Sequence, residues 1–163
     1  HAQFRRQRQM CIRDSNFMAM TIKVISIFLF STLVSVFFSV PITSMSYLYW
    51  LSTLNISIGF EVFINSLLHD WLNFSPLLFI VYGIGFLIAF IVSKLLLTLI
   101  DWKKELVYGL SGAFAVATIL YLSVALLFET QVIAGNRYTL GWVFHIVFGF
   151  IGGYIFASLL KKI

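Results

Sequence analysis

The sequence predicts an all-α membrane protein with four transmembrane helices and one amphipathic interfacial helix on the outer face. Two observations of composition predict it: the 163 residues are 61% hydrophobic and only 10% charged, and the mean hydropathy is +1.00. Soluble domains are about 25% charged, so this chain has too little polar surface to coat a globule in water. The third observation is that four apolar stretches have the length of membrane spans. The lipid bilayer is therefore the first expected partner.

The first 15 residues differ in composition from everything that follows. Within them, residues 5–15 (RRQRQMCIRDS) are polar and basic, and they resemble the in-frame translation of a sequencing adapter. We therefore expect residues 1–15 to be foreign to the native chain. Residues 16–163 are expected to form a single four-helix transmembrane domain whose native start is Met18 or Met20. The alternative is a genuine basic arm that binds anionic lipid or nucleic acid.

Excluding this segment changes the charge and the chemistry of the chain. Four arginines and one aspartate leave with it, so Lys+Arg falls from 11 to 7, Asp+Glu from 6 to 5, and the net charge from +5 to +2. Cys11, the one cysteine of the sequence, leaves as well. No basic patch then remains to neutralise phosphates, and no thiol remains for a disulfide or a nucleophile. We expect no nucleic-acid partner, no cofactor and no metal.

Four segments are long and apolar enough to cross a hydrocarbon core about 30 Å thick, which takes about 20 residues. They run over residues 24–42, 77–100, 106–128 and 140–160. The first is expected to stop near Pro41, and Pro76 precedes the second at a position that favours helix initiation. The first segment also resembles a signal peptide, because Lys23 precedes it and small residues follow it, so its cleavage is an open alternative.

The positions of lysine and arginine predict the orientation. Lysines precede the first span, separate the second from the third and follow the fourth: Lys23, Lys103, Lys104, Lys161 and Lys162. Residues 43–75 contain neither lysine nor arginine. Because cytoplasmic loops carry the excess of positive charge, both termini are predicted to be cytoplasmic. The expected location is the cell membrane, specifically a bacterial inner membrane.

Residues 60–72, between the first two spans, have helical periodicity. Apolar side chains recur at helical spacing, and polar ones occupy every fourth position: Glu61, Asn65, His69 and Asn73. This pattern predicts an amphipathic helix in the outer interface with its apolar face towards lipid. His69 and Asp70 are predicted to be solvated there rather than to form an acid–base or metal pair. An aromatic belt is expected at the same level, comprising Tyr47, Tyr49, Trp50, Trp71 and Tyr82.

Small residues indicate where the spans pack, because helices in lipid associate through close backbone approach. The predicted packing residues are Gly85 and Ala89 in the second span, Gly109 and Ala113 in the third, and Gly149, Gly152, Gly153 and Ala157 in the fourth. The three glycines 149, 152 and 153 form a glycine notch. This notch is expected to pack within the four-helix bundle or to dock a second copy or another membrane subunit, and a pore or substrate path is the third interpretation.

The outer end of the fourth span holds the candidate ligand or proton site: Glu129, Asn136, Arg137 and His145. Burying an ionisable residue in a span is costly, so it is a functional candidate by default. His145 is expected to hydrogen-bond a neighbouring helix; a ligand or proton site and a haem or metal ligand are the alternatives. Arg137 is expected to pair with Glu129 across the hairpin or to present an anion site.

The motifs separate the classes of function. The sequence has no Gly-rich phosphate loop, no HExxH pattern and no pair of carboxylates within a span, which disfavours an enzyme. Without mid-membrane carboxylates or broken helices, a monomeric transporter is also disfavoured. By elimination, we expect a non-enzymatic accessory, assembly or scaffold subunit that forms a homo-oligomer or binds another membrane subunit. The alternative is an oligomeric transporter or channel for a small solute or ion, with Arg137 and His145 near its outer opening.

Overall fold

A computed structural model describes residues 18–125, 133 and 138–162, together with the backbone alone of residues 2–17 and 126. Within these residues the chain is all-helical. The helices are α1 (Ala2–Thr53), α2 (Phe60–Asn73), α3 (Ser75–Leu96), α4 (Lys104–Leu126) and α5 (Thr139–Leu160). All except α2 are long and apolar enough to cross a membrane. The predictions of an all-α fold and of four helices long and apolar enough to span a membrane are confirmed.

The four long helices form a ring in which α1 and α4 each contact both α3 and α5. Successive helices run in opposite directions. Phe28, near the beginning of the apolar part of α1 (Met18–Thr53), therefore packs against Phe90 near the end of α3 and Phe156 near the end of α5. The ring centroids are 6.1 and 6.3 Å apart. At the same end, Lys161 Nζ lies 3.0 Å from Glu105 Oε1. We call this the lysine end of the bundle, defined by Lys23, Lys103, Lys104, Lys161 and Lys162.

Aromatic side chains fill the bundle interior towards the lysine end. Phe90 stacks on Phe86 and on Phe156, with centroids 5.2 and 4.5 Å apart. Tyr108 meets Phe156 edge-on at 5.3 Å. Since lipid supplies no hydrophobic drive between helices, these contacts hold the spans together through dispersion and ring geometry, and each aromatic pair contributes about 0.5–1.5 kcal/mol beyond burial.

Glycines bring α4 and α5 into backbone contact. A Cβ atom added to Gly112 would lie 2.3 Å from the carbonyl oxygen of Gly149, and one added to Gly153 would lie 2.0 Å from the carbonyl oxygen of Tyr108. Gly152 faces α1 instead, where an added Cβ would lie 1.9 Å from Ser35 Oγ. The glycine notch is thus occupied within the chain by α4 and α1. Substitutions at Gly149 and Gly153 test how strongly this packing stabilises the bundle.

The environments of the other predicted packing residues differ from one another. An added Cβ would meet the Ile119 side chain at Gly85 and the Phe150 ring at Gly109. Ala157 is buried and Ala89 is partly buried against the core, whereas Ala113 is half-buried.

The prediction that the first span stops near Pro41 is wrong, because α1 continues to Thr53. Pro41 has no backbone N–H, so the carbonyl of Phe37 loses its helical donor. The indole Nε1 of Trp71 in α2 donates to that oxygen at 3.4 Å, and the Phe37 and Trp71 rings stack with centroids 4.7 Å apart. Two residues after the end of α1, Asn55 has a φ of 61°, a left-handed conformation that asparagine tolerates.

Helix α2 leads into α3 after the single residue Phe74. The Phe74 amide donates to the Asp70 carbonyl at 2.9 Å. Pro76 at the beginning of α3 cannot donate to the carbonyl four residues before it, so the two helices are separated here. This position agrees with the predicted role of Pro76 in initiating the second span.

The Trp71 hydrogen bond predicts an unusual mutational coupling with Pro41. Trp71→Phe keeps the ring stack and removes the donor to Phe37, so we expect it to lower the free energy of unfolding by about 0.5 kcal/mol. In a Pro41→Ala background the backbone amide of the substituted residue supplies the missing donor, and the same change is expected to have no effect. Unfolding in detergent micelles measures both. Trp102→Phe, at an exposed loop position, is the control, and an equal cost of Trp71→Phe in the two backgrounds contradicts the assignment.

Candidate functional site

Helix α1 carries a row of buried hydroxyl side chains in an otherwise apolar span: Ser31, Thr32, Ser35, Ser39, Thr43 and Ser44. Residues 35, 39 and 43 are four apart, so they share one side of the helix. Ser35 Oγ donates to the carbonyl of Phe148 in α5 at 2.9 Å. This row was not among the predicted site residues, although serine and threonine recur in it at a spacing of four residues, which is visible in the sequence.

His145 in α5 lies against this row and is fully buried. Its Nδ1 is 2.8 Å from the carbonyl oxygen of Gly141, and its Nε2 is 3.2 Å from Thr43 Oγ1. A carbonyl oxygen only accepts hydrogen bonds, which assigns the proton to Nδ1 and leaves Nε2 to accept from the Thr43 hydroxyl. The neutral imidazole is therefore bonded at both nitrogens and joins α5 to α1. This is the helix-to-helix hydrogen bond that the sequence analysis expected of His145.

Tyr82 of α3 belongs to the same set of buried polar side chains. Its hydroxyl lies 3.5 Å from Ser39 Oγ, at the long limit of a hydrogen bond, and Thr43 Oγ1 is also 3.3 Å from the Ser39 carbonyl oxygen. The prediction that Tyr82 belongs to an aromatic belt is wrong, because the side chain is fully buried between helices. We call His145, Thr43, Ser39 and Tyr82 the hydroxyl network; it connects α1, α3 and α5.

A second polar contact joins α1 to α2. Ser44 Oγ donates to Asp70 Oδ2 at 2.7 Å, and His69 Nδ1 lies 3.6 Å from Asp70 Oδ1. The His69 side chain is 72% exposed and that of Asp70 only 28%. The prediction of a solvated pair therefore holds for His69 and is wrong for Asp70, because Ser44 of α1 binds its carboxylate.

The chemistry available to the hydroxyl network is limited. In the part of the chain that the structure describes, every buried side-chain nitrogen or oxygen has a hydrogen-bond partner. No three His, Cys, Asp or Glu side chains among those residues are grouped to hold a metal ion. Thr43 and His145 have the spacing of a nucleophile and its base, but a backbone carbonyl rather than a carboxylate holds Nδ1, and both side chains are enclosed between helices. The network links the α1, α3 and α5 spans through its hydrogen bonds.

Three members of the candidate ligand or proton site, Glu129, Asn136 and Arg137, lie outside the described residues. The predicted pairing of Glu129 with Arg137, and the anion site at Arg137, stay predictions. His145 is separated from that loop by the first turn of α5, which begins at Thr139. At the level of this turn, Tyr138 meets Tyr49 of α1 edge-on with centroids 5.1 Å apart.

Comparisons of the chain with protein-family models, with curated proteins and with solved structures gave no match.

Proposed function

We propose that this protein is a non-enzymatic accessory or scaffold subunit of a membrane assembly, in which the bundle is a rigid anchor and α2 presents the surface that a partner binds. The observation that carries the proposal is the hydroxyl network. His145 Nδ1 donates to the Gly141 carbonyl, and the Thr43 hydroxyl donates to His145 Nε2. The Tyr82 hydroxyl donates to Ser39 Oγ. A substrate or ion path needs polar groups that are available to the solute, whereas these groups already satisfy each other.

The three surfaces of α2 support an interfacial position. Phe63, Leu67 and Asp70 lie on one side and are half-buried. A second row is apolar and largely exposed, with Phe60 80%, Leu68 49% and Leu72 76% accessible. The third row is polar and exposed, comprising Glu61, Asn65, His69 and Asn73. In the proposed arrangement the apolar row enters the headgroup boundary and the polar row faces water or the partner.

The proposed orientation follows from the lysine end. The five lysines that define this end lie together at one end of the bundle, and cytoplasmic segments are expected to carry such an excess of positive charge. This end is therefore proposed to be cytoplasmic, with both termini, and α2 to lie on the outer face of a cell membrane. We further propose a bacterial inner membrane, on composition alone.

Site-specific crosslinking tests this function. A photo-crosslinking amino acid at position 65, on the exposed polar row of α2, is expected to capture one membrane subunit or a second copy of the chain. If the captured protein is another membrane subunit, its abundance is expected to fall in cells from which this chain has been deleted. The same amino acid at Leu99, 82% exposed beside the lysine end, is the control and should not give that product. Purification of a lone monomer without crosslinks at position 65 contradicts the proposal.

The burial of His145 within a span favours a second candidate, an oligomeric transporter or channel with Arg137 and His145 near its outer opening. An ionisable group inside the hydrocarbon region is the feature that solute and proton paths use. In proteoliposomes, a solute or proton flux that His145→Ala abolishes would replace the scaffold proposal. Flux that does not depend on His145 leaves the second candidate without support.

A further inference from the structure

An apolar groove runs along the outside of the bundle between α3 and α4. Its volume is about 860 Å³, and it is open along one side. Its lining includes Gly85, Ile88, Ala89, Ala115, Thr118 and Leu122. Its lining is almost entirely apolar, and its open side is on the outside of the bundle, where the lipid lies.

Positive charge lies at one end of the groove. Lys104, the first residue of α4, precedes the groove residue Ser111 by seven positions. Seven residues rotate through about 700°, so the two lie within about 20° of each other on one side of the helix. Lys103 and Trp102 precede Lys104 and are exposed.

The acidic groups near this end do not neutralise it. Glu105 accepts a 3.0 Å hydrogen bond from Lys161. Asp101 is the other carboxylate of the segment and supplies one negative charge, whereas Lys103 and Lys104 supply two positive ones. The loop therefore keeps a net positive charge. A positively charged loop beside an apolar channel is complementary to a ligand with an anionic head and a hydrocarbon tail.

The groove is long enough for an acyl chain that begins at the lysine end. On α3 its lining residues run from Leu77 to Leu96, which is about 28 Å at 1.5 Å per residue, and one leaflet of the hydrocarbon core is about 15 Å deep. We propose that the groove binds an anionic phospholipid from the leaflet at the lysine end, with an acyl chain along α4 and the phosphate beside Lys103 and Lys104. In the proposed arrangement Trp102 is at headgroup level, which is the depth that tryptophan prefers.

Photolabelling in vesicles tests the proposal. The full chain is placed in phosphatidylcholine vesicles that contain a trace of either phosphatidylglycerol or phosphatidylcholine with a photoactivatable acyl chain. Labelling is expected on groove residues and to be stronger with phosphatidylglycerol. Lys104→Gln is expected to lower that preference by about fivefold, the effect of one lysine at an anionic surface. Lys94→Gln is the matched control, because it removes the same charge from an exposed position that does not line the groove.

A second pair of variants tests the channel itself. Thr118→Phe fills the groove from an exposed position and is expected to reduce labelling by both lipids, whereas Val143→Phe, at an exposed position of α5, is not. A thermal unfolding midpoint equal to that of the unsubstituted protein shows that a variant folds. If Thr118→Phe does not fold, Lys104→Gln still tests the proposal. Equal labelling by both headgroups, or labelling that neither variant alters, overturns the proposal. Crosslinks from position 118 to a second copy or a partner helix in place of lipid also overturn it.

Discussion

Replacing Gly153 by alanine is expected to lower the free energy of unfolding by about 3 kcal/mol, the upper part of the range for overpacking a close contact. The added Cβ would lie 2.0 Å from the carbonyl oxygen of Tyr108 and 3.1 Å from the Cα of Gly109. These neighbours are backbone atoms, so no side-chain rotation relieves the overlap, and α4 and α5 must separate. Unfolding of the detergent-solubilised protein measures the loss.

Gly83→Ala is the matched control for this prediction. It makes the same substitution in a span, at a glycine with nothing within 4 Å of the added Cβ, and we expect no loss of stability. The double substitution Gly149→Leu with Gly153→Leu separates the two interpretations of the glycine notch. Packing within the bundle predicts a destabilised monomer. If the monomer kept its stability and only a crosslinked oligomer disappeared, the notch would instead be a docking surface.

His145→Ala is expected to cost about 2–4 kcal/mol, chiefly because it leaves a cavity between α1 and α5. Hydrogen bonds between membrane helices contribute only about 0.6 kcal/mol on average and about 1.7 at most, so the loss of the Thr43 contact is the smaller part. A double-mutant cycle with Thr43→Val isolates that part, with an expected coupling of about 0.6 kcal/mol.

His69→Ala is the control, because the His69 side chain is 72% exposed and its removal is expected to change stability by less than about 0.5 kcal/mol. Equal effects at positions 69 and 145 would show that His145 does not link the helices. A coupling of zero with Thr43→Val would show that the hydrogen bond does not stabilise the protein and that His145 acts through packing alone.

The four spans could be predicted because each depends on a local quantity, the length of an apolar run. Helix α2 was predicted for a similar reason, since its periodicity is contained in residues 60–72 and the structure places a helix over Phe60–Asn73. The end of α1 was not predictable in this way. The local effect of Pro41 is to interrupt a helix, and the donor that replaces its amide is Trp71, 34 residues after Phe37.

The hydroxyl network likewise depends on contacts between residues far apart in the sequence. His145 was recognised as a candidate because an ionisable residue in a span is conspicuous in any sequence. Its partner Thr43 lies 102 residues earlier, in the segment predicted to follow the first span. Pairing two positions so far apart requires the order in which the helices pack, which composition and periodicity do not contain. Asp70 was misassigned for the same reason, since its partner Ser44 lies in another helix.

The hydroxyl row of α1 bears on the biogenesis of the protein. Ser31 and Thr32 both donate to the carbonyl of Phe28 at 2.9 Å, so these groups are satisfied within the helix. A newly synthesised α1 therefore enters the bilayer without unpaired hydroxyl groups on these side chains. It can remain there until α5, whose Phe148 lies 113 residues after Ser35, leaves the ribosome.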